Sequence, residues 1–345
     1  ARMQEVQRDP ERPVLLRVAT DLLPRTQPVG AEVVERFARG VVPARLRDRL
    51  EKEGACAFTI EHAQHGRFRV HASRQRTGTK LTLRVLPREV PTLSSLGLPE
   101  VIDAGTRYEQ GLVLVTGPAG HGKSTTLAAL VDSVNEAGAG HVVTIEDPIE
   151  LVHARKRSIV SQREIGLHAK SLPAAIEAAL REDPDVLVVG ELHDAESVRL
   201  AVHASENGVL VLATMASPSV TKALERILDL FPVGEQVRLR TSLAGALRMI
   251  VGQRLVPSAD RKRVYAAAEV LPSSIPLYSI VRDGRTFQIP ALVQQGKARG
   301  AVRLEESLAS LVRAQKVTLE AARQHAGSIE DLESLAGAAP AARKG

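Results

Sequence analysis

The run Gly111-Leu-Val-Leu-Val-Thr-Gly-Pro-Ala-Gly-His-Gly-Lys-Ser-Thr-Thr126 sets the reading of the whole chain. Leu112 to Val115 is a short apolar run of the kind that makes a buried strand. Glycines at 117, 120 and 122 break it, and Leu127, Leu130, Val131 and Val134 recur at helical spacing from Lys123 onward. Gly117, Pro118, Ala119, Gly120, His121, Gly122, Lys123 and Ser124 fit G-x-x-x-x-G-K-[ST] residue for residue, with Thr125 next in the first helical turn. The strand, loop and helix around them are the setting that a phosphate loop requires. A triphosphate needs several donors at close range, and glycines let backbone N–H groups turn inward with no side chain in the way. The helix N-terminus adds unpaired N–H groups and partial positive charge. Lys123 can reach the β- and γ-phosphates, and the Ser124 hydroxyl can ligate Mg²⁺.

The composition sets the bounds. A chain of 345 residues suggests two domains of ordinary size. Hydrophobic residues at 44% and charged residues at 25% are those of a soluble globular protein, while aromatics at 2% and the lack of Trp leave Leu, Val, Ile and Ala to build the cores. The net charge of +6 would suit an acidic partner. The charges are spread out, however, and the chain can barely supply the aromatic stacking that single-strand binders use, so no nucleic-acid partner is expected. Cys56, the one cysteine, excludes an internal disulfide and a four-cysteine zinc site, and reads as a small core residue in a reducing compartment. No apolar run reaches the ~18 residues that span a bilayer, and no signal pattern opens the chain. The expectation is a cytoplasmic protein, peripheral to a membrane at most.

Taken in order, residues 1 to about 88 read as a small α+β unit. Val14 to Ala19 and Ala57 to His62 are strand candidates, and Val33 to Glu51 is a helical region broken near Pro43. Gly66 to Pro87 alternates in the strand manner around the turn signal Thr77-Gly78-Thr79 and carries Arg67, Arg69, Arg74, Arg76 and Arg84. On residues alone that hairpin is a solvated, basic sheet face. Pro87, Pro91 and Pro99 punctuate a linker, and Leu98 to Glu109 reads as a short helix. Beyond Gly111, the apolar runs His141 to Asp147, Asp185 to Glu191 and Gly208 to Thr214 alternate with helical patterns over 124–138, 171–182 and 194–207. That is the signature of an α/β parallel sheet covered on both faces, with ligand chemistry at the carboxyl ends of the strands. After Phe231-Pro232 the chain reads as mainly helical with a few short strands, and 337–345 as a disordered tail.

Hydrolysis of a nucleotide needs a metal near the β/γ bridge, a carboxylate to position or deprotonate water, and positive charge for the transition state. Ser124, with Glu146 or Asp147 through water, serves the first. Glu191 serves the second, since it ends a strand reading four apolar residues, Gly, Glu. An ordinary Walker B strand has Asp where Gly190 stands, so metal ligation from that position is lost.

The runs from Gly111, from Thr144-Ile-Glu-Asp-Pro-Ile-Glu150 and from Leu180-Arg-Glu-Asp-Pro-Asp-Val-Leu-Val-Val-Gly-Glu191 resemble the secretion-superfamily ATPases that power type IV pili and type II secretion. Within that superfamily the chain is most similar to the pilus retraction ATPases of twitching motility. Pro91 to Pro99, Arg282 to Pro290 and Glu306 to Val312 carry the same resemblance, which covers nearly the whole chain. The extension and type II branches typically hold a tetracysteine zinc insertion, which one cysteine cannot supply. The resemblance implies a PAS-like N-terminal domain over 1–95, a linker over 96–110 and a RecA-like P-loop ATPase domain with C-terminal helices over 111–336. It also implies ATP and Mg²⁺ as ligands, a homo-hexamer, and an inner-membrane platform protein as partner at the cytoplasmic face. Glu146 to Glu150 then corresponds to the Asp box and Asp185 to Glu191 to the atypical Walker B. Lys123, Glu146 and Glu191 become catalytic, Ser124 and Glu146 metal-binding, and Arg69 and Arg84 arginine-finger analogues. Arg74 and Arg76 stay ambiguous.

The pattern breaks in three places. Ser205-Glu-Asn-Gly-Val-Leu-Val-Leu-Ala-Thr-Met-Ala-Ser217 stands where the family has its His box, with Val209 and Ala216 at the two histidine positions. A histidine beside the γ-phosphate can donate a hydrogen bond or sense the nucleotide, and neither Val nor Ala can. Leu192-His193-Asp194 replaces the usual Met-Arg-Asp, and Pro276 to Asp283 departs from the retraction motif. Slow or altered turnover is therefore expected. A non-motor nucleotide-binding regulator is the alternative, and a nucleic-acid motor is suggested only by charge and fold analogy.

Overall fold

The computed structural model describes residues 3–8, 15–18, 21–24, 29–138, 140–296 and 300–337. The described residues fall into two units, one drawn from Ala1–Glu89, Pro148–Val152 and Asp260–Val264, the other from Val90–Asp147, His153–Ala259 and Tyr265–Gly345. Residues 338–345, most of the expected tail, lie outside the described residues, and Gly337 ends the last helix in the left-handed conformation.

The first unit is a six-stranded antiparallel sheet with two helices. Its strands are β1 (Met3–Arg8), β2 (Leu15–Val18), β3 (Asp21–Pro24), β4 (Ala55–His62), β5 (Gly66–Gln75) and β6 (Gly78–Val85), in the order β3-β2-β1-β6-β5-β4. The helices are α1 (Ala31–Val41) and α2 (Ala44–Glu53), separated by Pro43 at the start of the second, where the missing N–H costs nothing. Period two along β5 and β6 turns Val70, Ala72, Leu81 and Leu83 onto a core shared with Ala38, Leu50, Phe58 and Cys56, which is 4% exposed. The same alternation puts Arg67, Arg69 and Arg84 on the opposite face. β1 and β3 escape a reading of the sequence because Met-Gln-Glu-Val-Gln-Arg has too few apolar residues to alternate. Pairing with β2 and β6 makes β1 a strand.

In the second unit, α3 (Leu93–Leu96) and a 3₁₀ helix (Glu100–Arg107) lead into β7 (Gly111–Gly117), which is buried at every residue. The expected helix over Leu98 to Glu109 is thus a 3₁₀ turn structure, anchored by Ile102 in the core. There follow α4 (Lys123–Ala137), β8 (His141–Glu146), β9 (Ile159–Glu164), α5 (Leu172–Leu180), β10 (Val186–Val189), α6 (Ala195–Glu206), β11 (Leu210–Ala216), α7 (Val220–Asp229) and α8 (Val233–Ala246). β12 (Leu247–Pro257) and β13 (Val264–Pro272) complete a sheet ordered β13-β12-β7-β11-β10-β8-β9. The pairs from β12 through β9 are parallel. Leu112, Leu114, Val143, Ile145, Leu187 and Val211 face one core with α5 to α8, while Val113, Val115, Val142, Val188 and Leu212 face the other with α4. Both faces are covered, which is why these strands read as unbroken apolar runs.

The remaining helices are α9 (Ile275–Arg282), α10 (Ile289–Gln295), α11 (Leu304–Arg313), α12 (Leu319–Arg323) and α13 (Ile329–Ala336). The last three pack Leu308, Leu311, Ala322 and Leu332 against Val256 and Ala267 of β12 and β13. The expectation of only a few short strands after Phe231 needs correcting. β12 has 11 residues and β13 has 9, longer than any other strand of this sheet. Arg248, Gln253 and Arg254 interrupt the apolar run of β12 and hide it from a pattern search, but burial against β7 makes it a strand.

Candidate functional site

Parallel pairing brings the carboxyl ends of β7, β11, β10 and β8 to one edge of the sheet. Ala216 is in register with Gly117, Val189 with both Ala213 and Ile145, and Gly190 N–H donates to the Ile145 carbonyl at 2.8 Å. Gly117, Glu146 and Glu191 therefore share that edge, as the sequence leads one to expect.

The loop from Pro118 to Gly122 crosses from β7 to α4. Gly122 is the residue before the helix, with φ 82°, and a Cβ there would lie 2.8 Å from Gln253 Nε2. A Cβ on Gly117 would lie 2.6 Å from the Gln253 carbonyl oxygen. Gly117 is thus required by its close approach to the β12 backbone, and Gly122 by its left-handed turn, with the end of the Gln253 side chain beside it. Lys123 is 7% exposed and its Nζ donates to the Pro118 carbonyl at 3.2 Å. Burial pushes its ammonium down from the ordinary lysine value, and the negative charge of Glu191 acts in the opposite sense. Ser124 is exposed at the first helical turn, beside half-buried Thr125, while Ala119 and Gly120 lie open to solvent. His121 has its Nδ1 accepting from Leu255 N–H at 3.0 Å and its ring edge-on to His325 at 5.9 Å between centroids. Burial, followed by the charges of Arg254, His325 and Lys123, holds this imidazole below 6.5.

Glu146 is fixed by two donors on one oxygen, Thr144 Oγ1 at 2.8 Å and Gln162 Nε2 at 3.0 Å. Glu191 is exposed just beyond β10. Gly190, at the place of the usual Asp, is closely packed: a Cβ would sit 3.2 Å from the Ile145 carbonyl oxygen and 3.4 Å from Glu146 Cα, so this backbone would have to give by a few tenths of an ångström. His193 is exposed, with Nδ1 3.2 Å from the Glu191 carbonyl and Nε2 3.7 Å from Asp194, so its contacts stay beyond the end of β10.

The two histidine-box positions prove to be unlike each other. Ala216 ends β11 beside Gly117, at the phosphate edge. Val209 precedes β11 at the other end, in the apolar core and 9% exposed. Seven residues of strand separate them by about 23 Å. Only Ala216 stands where a side chain could meet a γ-phosphate, and the expectation for Val209 is corrected accordingly.

Within the first unit, Arg69 and Arg84 are direct cross-strand neighbours on β5 and β6. Like charges so placed repel. Arg69 Nη1 pairs with the Glu150 carboxylate, and Arg67 donates to the carbonyls of Glu150 at 2.9 Å and Ile149 at 3.0 Å. Arg84 is exposed, Arg74 lies at the exposed end of β5 and Arg76 in the following turn. Gln253, which bonds the His121 carbonyl and Thr126, and Thr144 and Gln162, which bond Glu146, were not singled out from the sequence. Their neighbours come from distant strands, and nothing local marks them.

The family model for type II/IV secretion system proteins matches residues 18–333. A twitching motility protein of Neisseria gonorrhoeae is 36% identical over 319 residues, 92% of this chain and 85% of that protein. The type IV pilus retraction ATPase PilT of Pseudomonas aeruginosa is 36% identical over 318 residues, 91% of each. A crystal structure of the pilus retraction motor PilT with bound ADP matches at a TM-score of 0.82 and 34% identity, over 96% of this chain and 95% of that one. In sequence and in fold, over most of its length, the chain belongs to the family of type II/IV secretion system proteins.

Proposed function

We propose that this chain is an ATP-hydrolysing motor of the pilus-retraction type, working as a hexamer with Mg²⁺ and acting on an inner-membrane platform protein at the cytoplasmic face. The observation that carries the reading is the phosphate loop: a fully buried strand, a left-handed glycine before a 15-residue helix, and a buried lysine at its mouth. These residues fit a nucleoside di- or triphosphate, because the cradle supplies backbone donors and the helix end and Lys123 supply charge. The relatives named for twitching motility and pilus retraction support the motor, and the acid at 191 supports turnover. Among the described residues, no helix is long and apolar enough to cross a membrane.

In this reading Lys123 binds the β- and γ-phosphates, and the loop N–H groups orient them. Ser124 by its hydroxyl and Glu146 by its carboxylate would hold the Mg²⁺, which would supply charge compensation at the phosphate oxygens. Glu191 positions the attacking water and takes its proton. Arg69 and Arg84 stabilise transition-state charge, for which Arg69 must exchange Glu150 for phosphate. The regulator without turnover is not favoured: Glu191 is retained, and Val209 is remote from the phosphate edge.

Phosphate release measures this directly. Glu191→Gln is expected to lower turnover by on the order of 10²-fold or more while ADP affinity stays within about threefold of wild type. Wild-type turnover no faster than that of Lys123→Ala would sink the motor reading and leave the regulator.

A further inference from the structure

Behind the phosphate loop lies a side chain that the reading above leaves without a role. Gln253, near the end of β12, is 2% exposed, and both ends of its amide are taken up by the loop and its helix. Its Oε1 accepts from Thr126 Oγ1, in the first turn of α4, at 2.7 Å. Its Nε2 donates to the His121 carbonyl at 2.8 Å. Two residues on, Leu255 N–H donates to His121 Nδ1 at 3.0 Å. The Gln253 backbone also occupies the space that a Cβ on Gly117 would need, and its amide the space beside Gly122. One residue thus touches the start of the loop, its last two positions and the helix that follows.

The consequence lies in the geometry of the peptide unit. A trans peptide is planar, with its C=O and the next N–H on opposite edges. Holding the His121 carbonyl back toward β12 turns the Gly122 N–H the other way, out of the packed layer behind the loop. Glycine at 122 has little torsional preference of its own, so without an anchor that plane is free to rotate. An amide is suited to the task, since its Nε2 donates to the carbonyl while its Oε1, a separate atom in the same plane, accepts from the Thr126 hydroxyl. Buried as it is, each of these bonds is costly to leave unmade.

We infer that Gln253 is a positioning residue for phosphate binding, acting through the His121–Gly122 peptide and tied to α4 by Thr126. This rests on the reading that the loop takes nucleotide phosphates.

The test is calorimetric titration of the full chain with ADP. Gln253→Leu keeps the bulk and loses both bonds, and is expected to weaken ADP about tenfold. Thr126→Val, which leaves the amide in place but loosens it, costs less, about threefold. Because the two residues form one tie, the double variant should be no weaker than Gln253→Leu within about twofold. Gln253→Glu supplies a readout that mere structural support does not move. It keeps the shape and the Thr126 bond but sets a second acceptor against the His121 carbonyl. Its ADP affinity, taken relative to wild type at each pH, should therefore recover as pH falls from about 8 to 6 and the carboxyl regains a donor.

If Gln253→Leu fails to fold, Gln253→Glu and Thr126→Val carry the test. Folded Gln253 variants that bind ADP within twofold of wild type, or a Gln253→Glu ratio flat with pH, overturn the role. A wild-type chain that does not bind ADP overturns the nucleotide reading itself, and this inference with it.

Discussion

In the proposed function, the phosphate loop and the arginine face of the N-terminal sheet both offer positive charge to phosphate, and they are built in opposite ways. The loop is made of backbone and one buried lysine, held from behind by β12, with little freedom left to it. The arginine face is made of long side chains on an exposed sheet, where Arg69 and Arg84 stand opposite one another and Arg69 is held by the carboxylate of Glu150. A site of the first kind is already in place before its ligand arrives. One of the second kind has to exchange partners first.

The most damaging way to break the comparison is to spoil the loop's backbone. Gly122→Val forces a β-branched residue to φ 82° with its Cβ 2.8 Å from Gln253 Nε2. ADP affinity is expected to fall on the order of 10³-fold by titration, and a loss under tenfold would mean that the loop adapts.

The layer behind the loop differs from the arginine face in a second respect, since its charges are buried and so should govern stability against pH. Glu269, on β13 beside Gly252, has its carboxyl pushed up to about 7 by burial and by the charge of Glu305. Arg254 and the Val220 N–H, which it accepts, pull it down. An acid raised in the folded state contributes stability that is full below its ordinary 4.5 and is lost as pH rises to about 7. The size is roughly 3 kcal/mol. His121 and His325 carry the opposite sign. Both are depressed by burial first, with Arg254 acting on each, so their contribution is present above 6.5 and lost below it. Glu269→Gln should flatten the loss of thermal stability between pH 5 and 7, as read by denaturation at each pH. An unchanged slope would mean that the carboxylate is already ionised in the fold.

The arginine face should respond less and differently. Arg69→Ala and Arg84→Ala are each expected to lower turnover about tenfold or more while ADP affinity moves less than about threefold, since such groups act on transition-state charge. Thermal stability should change by under about 1 kcal/mol, because Arg69 keeps 38% of its side chain in solvent. Equal losses of turnover and binding would set the arginines beside the loop as ground-state binders.

These regions also differ in how far the sequence discloses them. The loop is legible because each requirement is local: glycines at fixed offsets, a lysine, and an apolar strand before them. The arginine face is legible as a face, from the alternation of β5, but the pairing of Arg69 with Glu150 joins residues far apart in the chain. Gln253 is hidden more deeply, since its partner Thr126 is 127 residues away and no periodicity points from one to the other. Val209 and Ala216 show the converse error. Read as a motif they look equivalent, and only the direction of β11 reveals that one borders the phosphate edge while the other is core at the far end.

Cys56 lies in the apolar core of the N-terminal unit, and the chain has no other cysteine and no tryptophan. Its surface is accordingly silent to maleimide dyes, and with no tryptophan its ultraviolet emission is dominated by three tyrosines. Any cysteine introduced at an exposed position, such as Arg76→Cys or His193→Cys, becomes the one accessible thiol of its unit. A dye pair there turns the protein into its own gauge, able to follow the separation of the two units in solution through each stage of nucleotide turnover.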